Sequence, residues 1–493
     1  MRASGTRRRR AVKATLLARL PGHVALDTQA SGEIVARIDG YAENLGKFSA
    51  RAANRAEGLR SGLSLGSFER DGSDTDKEVH LLVRRLARRG LLEYRLARSP
   101  NGEDEVVIEP QVPAYWPRMP PLGSDDVLVL SRFAYLRRRA NAMVLESPRA
   151  GALFKIGNPQ IAAALASLSA PQQIRRFGRR ADFPGAELLA LLVDCQILFK
   201  VDAAGDKVLR AAEGDDNLVV WDFHDLLFHA RSTEGRHANP VGGLYPHVGI
   251  VTPPPAVRPP WPGRKLDLGK FSAAENEAIS PAVKLLRERR STRDFDDERP
   301  ITLAELARFL DRTARVQSTW TSRLDLGSDG RGGGPMLAYT ARPYPSGGSS
   351  YELELYLAVD KCDGLARGIY HYDAGDHALA PIGAGAAELD ALLREAAFAM
   401  GVSAPPQIVI TIAARFGRTA WKYSSIAYAL ILKDVGVLLQ TFYLMATDMG
   451  LGGCAIGTVN IDRFAKITGI ELHAEGPVGQ FALGRGAEPT APG

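Results

Sequence analysis

The hydrophobic pattern near the start of the chain is clearest in residues 77–97, KEVHLLVRRLARRGLLEYRLA. Gly90 fits the end of a helix there, and the alternating LLEYRLA after it is typical of a strand. A helix, a short stop and a strand together predict a winged-helix-like unit. The apolar residues recur at i, i+3, i+4 and i+7, which is one helix face: Val79, Leu82, Val83 and Leu86.

A similar pattern returns further along the chain. Residues 141–156 predict a β-hairpin, and 158–171 predict a short helix. Residues 185–202 form an apolar helix pattern that runs into a β-rich segment. We therefore predict two small, related α+β modules at 1–118 and 119–215. We interpret the arginines of the first helix as a solvated face, because basic side chains on exposed helices are routine.

A stiff segment follows these modules. Residues 252–263, TPPPAVRPPWPG, contain six prolines, so they are extended and cannot form a helix interior. They belong to a connecting segment, 216–268, whose histidines match no compact metal motif. We interpret that segment as an ordered connector in which aromatic and histidine side chains pack between domains, without a metal site. The histidines are His224, His229, His237 and His247.

The patterns after the connector predict a third, larger domain at 269–493. Residues 302–316 form an amphipathic helix with Thr302 as a plausible N-cap. Residues 424–457 form a long helix, apolar around nearly its whole circumference, followed by a glycine-dense loop. Such a helix is expected to be buried in a domain centre or at a subunit interface. The predicted fold class is α+β: an antiparallel-rich sheet with this central helix, preceded by the two modules.

Composition is that of an ordinary globular protein. The chain has 493 residues, of which 45% are hydrophobic and 24% charged, and its formal net charge is +6. Much of that charge comes from the run Arg7–Arg10, and no basic stripe indicates a nucleic-acid surface. Three widely spaced cysteines argue against a disulfide framework. We expect no membrane span and a cytoplasmic location.

Three short segments of the third domain carry candidate chemistry. RRSTR, 289–293, brings three guanidiniums and a hydroxyl together, a set suited to an anion because arginine offers forked donors to phosphate; a solvated basic turn is the alternative. PSGGSS, 345–350, is a loop whose glycines let a flat ligand approach the main chain, although a plain hairpin turn remains possible. GRG, 484–486, follows the last strand and supplies another cation.

These segments occur in a recognisable order: RRSTRDF, PSGGSSYELELYL, DVGVLLQTFYLMATDMGLGGCAIG and ALGRG. The set resembles the FMN-binding elements of the nitroreductase superfamily over 269–493. The KY at 422–423, the winged-helix-like front and its WDFHDLLFHARS resemble the SagB-type azoline dehydrogenases, which mature thiazole- and oxazole-containing ribosomal peptides. One departure is visible, because the family's loop often has an apolar residue and then Tyr-Pro where this chain has SSYELE.

The resemblance implies a homodimer with FMN at the interface, acting on a ribosomal precursor peptide beside a YcaO-type cyclodehydratase and its partner protein. The arginine segment would hold phosphate and ribityl or ring oxygens, the loop would line the flavin ring, and CAIG would meet its edge. Carried across by motif, the cofactor residues are Arg289, Arg290, Ser291, Arg293, Pro345, Ser346, Gly347, Gly348, Ala455, Ile456, Gly457 and Arg485.

Lys422 and Tyr423 are the predicted catalytic residues. Aromatising an azoline removes a proton from one ring carbon and a hydride from the next, and the proton step needs a base. Burial or the neighbouring Arg415 and Arg418 would make the lysine amine a better base. Adjacent side chains on a helix diverge by about 100°, so both reach one pocket only where the backbone is irregular.

Two other functions remain open on the sequence alone. One is an ordinary FMN-dependent NAD(P)H nitro or quinone reductase, which would need no peptide-handling front half. The other is a non-catalytic scaffold that organises a peptide-modifying complex. We also predict that the front modules act as a peptide clamp, since strand edges can accept an extended leader peptide.

Overall fold

The computed structural model describes residues 14–38, 41–68, 72–99, 102–177, 183–201, 213–238, 241–260, 262–272, 279–324 and 334–487. The basic run at 7–10 lies outside these residues. The chain divides into two compact units, Met1–Asn239 and Pro240–Gly493. The predicted connector, 216–268, is thus shared between them.

The first of these units, Met1–Asn239, is called the front unit, and it contains the same succession of elements twice. Each copy has a strand, three further strands, a helix, a short strand, a second helix and a closing strand. The first copy comprises β1 (Thr15–Arg19), β2 (Val24–Thr28), β3 (Glu33–Ile38), β4 (Tyr41–Lys47), α1 (Ala50–Ala56), β5 (Leu63–Ser64), α2 (Asp74–Arg88) and β6 (Glu93–Ala97), followed by β7 (Val106–Pro110). The second comprises β8 (Val127–Leu130), β9 (Tyr135–Arg139), β10 (Ala142–Glu146), β11 (Ala152–Ile156), α3 (Pro159–Ala166), β12 (Gln172–Gln173), α4 (Ala186–Asp194) and β13 (Leu198–Lys200).

The two copies also pair their strands alike. The first strand lies between the short strand and the closing strand in both, in the orders β5-β1-β6 and β12-β8-β13. A seven-stranded sheet, β5-β1-β6-β7-β11-β10-β9, continues from the first copy into the second, and one hydrophobic core runs through both. The same succession of elements therefore occurs twice along the chain, but both copies are built into one unit.

The predicted elements of the front unit form where the hydrophobic pattern placed them. Helix α2 buries the four apolar residues of its predicted face, and Gly90 takes a positive φ of 69° just after its end. Strands β10 and β11 pair as the predicted antiparallel hairpin. The chain reverses at Gly90 because glycine adopts this conformation without a steric penalty.

Two helices close the front unit, α5 (Asp216–Val219) and α6 (Phe223–Ser232). Arg231 of α6 forms an ion pair with the buried Glu146 of β10, and His229 is 3% exposed beside Trp221. Among the described residues, no group of three or more histidine, cysteine or acidic side chains could hold a metal ion. His229 therefore packs in the unit's interior.

The second unit, Pro240–Gly493, is called the back unit, and it is built on one antiparallel sheet. Its six strands run in the order β18-β17-β16-β19-β21-β20, and a separate hairpin pairs β14 with β15. The strands are β14 (Ser318–Arg323), β15 (Met336–Ala341), β16 (Leu353–Val359), β17 (Gly368–Asp373), β18 (Ala378–Ile382), β19 (Ile408–Arg415), β20 (Gly452–Ile456) and β21 (Glu475–Gly484). The helices are α7 (Gly269–Ser272), α8 (Pro281–Glu288), α9 (Leu303–Thr313), α10 (Ala386–Met400), α11 (Phe416–Ala420), α12 (Ala427–Asp448) and α13 (Ile461–Thr468).

The long helix α12 lies against one face of this sheet. Its Phe442 is fully buried, with ring centroids 5.2 Å from Phe309 and 5.4 Å from Phe481. The helix is long and apolar enough to cross a membrane by composition, but its aromatic contacts are those of a core helix. The predicted α+β class with a long central helix is confirmed, and Thr302 caps α9 as predicted.

One side of α12 faces outward in a single copy of the chain. Four of its exposed positions recur at i, i+4, i+7 and i+11, so they form a stripe along the helix: Ala429, Lys433, Gly436 and Gln440. The helix is therefore buried on part of its circumference only.

Candidate active site

The loop at 345–350 is held by a carboxylate of the long helix. Asp434 Oδ2 accepts hydrogen bonds from Ser346 Oγ at 2.8 Å and from the Gly347 amide at 2.9 Å. Ser346 Oγ in turn accepts the Tyr351 amide at 3.0 Å. These bonds fix the loop on α12 and set the position of Gly348, which has φ 60° and ψ 30°.

Lys422 and Tyr423 meet over this loop. Lys422 Nζ donates to the Gly348 carbonyl oxygen at 3.1 Å, and its ammonium lies 5.3 Å from the centre of the Tyr423 ring. A Cβ atom added to Gly348 would overlap both the Tyr423 hydroxyl and Lys422 Nζ. The two functional groups therefore converge on one point of the main chain.

An irregular backbone makes this convergence possible. Residues 421–426 form turns and bends between α11 and α12, and Ser425 has a positive φ of 63°. The side chains of Lys422 and Tyr423 are thus not held to the divergence of consecutive helical positions. The condition that the sequence set for a shared pocket is met.

The two neighbouring arginines are bound by protein groups. Arg418 Nε donates to the Ser350 carbonyl at 2.9 Å, and another of its nitrogens donates to the Ala338 carbonyl of the β14–β15 hairpin. Arg415 lies 3.4 Å from Glu354. Arg418 ties the loop to that hairpin, whereas Lys422 itself is solvent-exposed.

The arginine segment forms a second cluster around Tyr443. The Tyr443 hydroxyl lies 2.8 Å from Ser291 Oγ and accepts the Ala455 amide at 2.8 Å. The guanidinium carbon of Arg289 lies 5.1 Å from the centre of the Tyr443 ring. The Thr292 amide donates to the Gly453 carbonyl at 2.8 Å. Tyr443 thereby joins the segment at 289–293 to strand β20.

The predicted cofactor residues near this cluster differ in how many of their hydrogen-bond donors are already used by other protein groups. The Arg485 guanidinium donates to both carboxylate oxygens of Glu305 at 2.8 Å and to the Arg299 carbonyl at 3.0 Å, so its charge is already balanced. The Ala455 amide is used by Tyr443 and Ile456 is buried. Gly457 faces open space. The phosphate role of Arg485 stays a prediction.

The two clusters lie on opposite sides of α12. Asp434, which holds the loop, and Tyr443, which holds the arginine segment, are nine residues apart. At about 3.6 residues per turn, nine residues make roughly two and a half turns. One copy of the chain therefore does not bring the loop at 345–348 and the segment at 289–293 to the same side of the helix.

Sequence reasoning did not assign a role to the residues that organise these clusters. Asp434 was visible as a charge interrupting an apolar helix pattern, which is a usable signal. Tyr443 gives no such signal, because an aromatic residue in an apolar helix is ordinary core material. Glu352, fully buried two residues from the end of the loop, resembled any polar position of a strand.

The residues at 289–293 fit the phosphate end of a flavin mononucleotide. Within the part of the chain that the structure describes, the guanidiniums of Arg289, Arg290 and Arg293 make no hydrogen bond or ion pair with protein groups. Unpaired guanidiniums beside the Ser291 hydroxyl form a donor set for an anion. On the other side of α12, the absence of a Cβ at Gly348 makes room for the Tyr423 hydroxyl and Lys422 Nζ.

Comparison with known proteins gives matches in both units. Residues 128–238 match the family model described as cyanobactin oxidase ThcOx, and residues 286–485 match the nitroreductase family. The first range contains WDFHDLLFHARS, and the second contains both clusters. A Methanocaldococcus jannaschii protein assigned to the nitroreductases, MJ1384, is 30% identical over 189 residues, which cover 38% of this chain and 84% of that protein.

Solved structures show more distant similarities. The E. coli microcin synthetase McbBCD complex with truncated pro-MccB17 contains a chain that is 18% identical, with a TM-score of 0.38, covering 56% of this chain and 97% of its own. A nitroreductase-like protein from Ralstonia eutropha JMP134 is 22% identical, with a TM-score of 0.33, covering 44% and 88%. Both similarities are remote, with TM-scores below 0.5.

The position of Gly348 predicts the effect of adding one methyl group there. Gly348→Ala is expected to lower the free energy of unfolding of the back unit by at least about 1–2 kcal/mol, the cost of a left-handed conformation, because the new atom also displaces Lys422 and Tyr423. Urea unfolding measures this. Gly383→Ala is the control, since its Cβ would meet no atom within 4 Å. Equal stability of the two variants would contradict the described loop.

Proposed function

Because this chain belongs to the nitroreductase family, we propose that it is an FMN-dependent dehydrogenase that aromatises thiazoline or oxazoline rings in a ribosomal precursor peptide. The nitroreductase region behind a cyanobactin oxidase region confirms the resemblance to SagB-type enzymes, and it makes the chain an oxidoreductase. The observation that carries the proposal is the convergence of Lys422 and Tyr423 over Gly348.

The chain's own residues have separable tasks in this reaction. FMN, when bound, supplies the acceptor for the hydride. Lys422 takes the proton from the ring carbon next to the carbonyl, and the Gly348 carbonyl, 3.1 Å from its Nζ, orients that amine. The Tyr423 hydroxyl donates a hydrogen bond to the oxygen on which negative charge develops. The exposed amine is covered only when substrate is seated.

We propose that a complete site combines two copies of the chain. The arginine segment and the Lys422 loop lie on opposite sides of α12, and the outward stripe of that helix is available to a second copy. Helix α8 adds exposed apolar side chains, Val283 and Leu286, to the surface of the back unit. A homodimer with FMN between copies brings the arginines of one chain to the loop of its partner.

The proposed reaction also implies the partners of the enzyme. The precursor peptide is the substrate, and a YcaO-type cyclodehydratase with its partner protein supplies the azoline rings. The front unit holds the leader part of the peptide, because β9 is a sheet edge whose Leu136 is 44% exposed. An extended segment can add to such an edge through main-chain hydrogen bonds.

Lys422→Ala is expected to keep flavin and to lose aromatisation by a factor of about 10²–10⁴, the usual contribution of a general base. Mass spectrometry of a cyclised peptide, following the loss of two hydrogens per ring, measures it. Tyr423→Phe is the matched variant, since it keeps the ring and removes only the hydroxyl. Near wild-type turnover of Lys422→Ala with full flavin would place the base elsewhere, and anaerobic bleaching of the flavin by NAD(P)H would favour the reductase.

Mixed dimers test the shared site. A chain with Arg289→Ala and Arg290→Ala is co-expressed with a Lys422→Ala chain, and the heterodimer is isolated through two different tags. It contains one intact and one doubly defective site, so turnover of about half the wild-type value is expected from a two-fold dimer. The control is a doubly tagged dimer of two Lys422→Ala chains, which stays inactive. A mixed dimer as inactive as its parents would mean that both clusters act within one chain.

The peptide clamp is tested with one substrate in two lengths. The whole enzyme is expected to process a leader-bearing peptide with a KM at least about tenfold below that of the same core without leader, which corresponds to about 1.4 kcal/mol of binding. The kcat is expected to stay similar, because the leader does not touch the reacting ring. Equal KM values for both lengths would contradict a clamp in the front unit.

A further inference from the structure

Two buried carboxyl groups lie beneath the loop that carries Gly348. Glu352 is 0% exposed and Asp434 is 7% exposed. Within the described residues, neither has a lysine, arginine or histidine within ion-pair distance. Two carboxylates that interact directly in a buried place cannot both stay ionised at low cost. The protonation state of these two carboxyl groups therefore affects how the loop at 345–350 is held.

The hydrogen bonds of Ser346 identify which group carries the proton. Its hydroxyl oxygen lies 2.8 Å from Asp434 Oδ2 and 3.4 Å from Glu352 Oε2, but it has only one hydrogen to donate. The shorter contact takes that hydrogen. The Glu352 contact is then a hydrogen bond only if Glu352 is protonated and donates to Ser346, whose other lone pair accepts the Tyr351 amide.

This gives a directed chain of hydrogen bonds from Glu352 through Ser346 to Asp434. Asp434 completes the chain by accepting the Gly347 amide. Burial, with the Asp434 carboxyl next to it, raises the pKa of Glu352 to about 7. Tyr344 is a further titratable group that interacts with Glu352, and Arg342, Glu354 and Tyr351 interact in turn with Tyr344. Tyr344 stays neutral, because burial raises its pKa well above the usual range.

We propose that Glu352 and Asp434 share one proton and thereby position the Ser346–Gly348 loop under Lys422 and Tyr423. Glu352 is a positioning residue, since it touches neither substrate nor the reacting atoms. It acts through Gly348, whose carbonyl oxygen receives Lys422 Nζ at 3.1 Å. The part that concerns catalysis rests on the proposed function, whereas the proton sharing and the anchoring of the loop do not.

The sign of the pH dependence follows from the raised pKa. Glu352 would titrate near 4.5 in an unfolded chain and titrates at about 7 in the folded one. Its contribution to the free energy of unfolding is therefore present below pH 4.5 and is lost as the pH rises through about 7. Above that pH, two negative charges face each other and Ser346 loses a donor, so the loop loosens.

Hydrogen–deuterium exchange of the whole enzyme tests the anchoring. Roughly one tenth of Glu352 keeps its proton one unit above its pKa, so the protection factor of residues 345–351 is expected to fall severalfold between pH 6 and pH 8. Glu352→Gln keeps a permanent donor to Ser346 and is expected to show protection that does not change over this range. Asp434→Asn removes the neighbouring charge and is expected to move the transition to lower pH.

The outcomes separate this proposal from the proposed function. Protection in the wild type that does not vary with pH, or Glu352→Gln protection that varies as the wild type does, would overturn the shared proton. Turnover is measured over the same range, and the ratio of wild-type kcat to Glu352→Gln kcat is expected to fall above pH 7, because Lys422 acts as the base in both enzymes and its effect cancels in the ratio. A ratio that does not change with pH would overturn positioning. The expected exchange pattern in an enzyme without any azoline activity would leave the carboxyl pair standing and refute the proposed function alone.

Discussion

The period of the long helix α12 governs the arrangement of the back unit's chemistry. Its buried aromatic side holds the helix against the sheet, and this fixes where every other side points. Asp434 and Tyr443 are then out of phase by about half a turn. Each organises a different cluster, one around the loop at 345–350 and one around the segment at 289–293. A single helix therefore separates the two clusters, and this separation motivates the proposed dimer.

Backbone irregularity matters as much as the helices. Lys422 and Tyr423 approach Gly348 together because the chain between α11 and α12 follows turns and a left-handed residue at 425. A regular helix through these positions would send the two side chains in different directions. In the loop opposite, Gly348 has a positive φ, and a Cβ atom there would overlap the Tyr423 hydroxyl and Lys422 Nζ. The convergence of Lys422 and Tyr423 thus depends on irregular backbone both at residues 421–426 and in the loop at 345–350.

The front unit shows how a repeated pattern becomes a single structure. Both copies place their first strand between a short strand and a closing strand, yet strands of both join in one sheet over a common core. Helix α6 is fastened to the second copy by Arg231 and Glu146. The segment that first suggested a connector with histidines is therefore in part a structural element of this unit.

Local sequence determined many of the elements and the order of the motifs. The helix at 74–88, the hairpin at 142–156 and the capped helix at 303–313 follow from period, turn residues and capping residues, which act over a few positions. The order of four motifs indicated the family. Tertiary structure alone decided that Arg485 pairs with Glu305, that Tyr443 joins Ser291 to Ala455, and that Glu352 lies beside Asp434. These contacts join residues far apart in the chain, and their energetics depend on burial, which no local pattern of residues specifies.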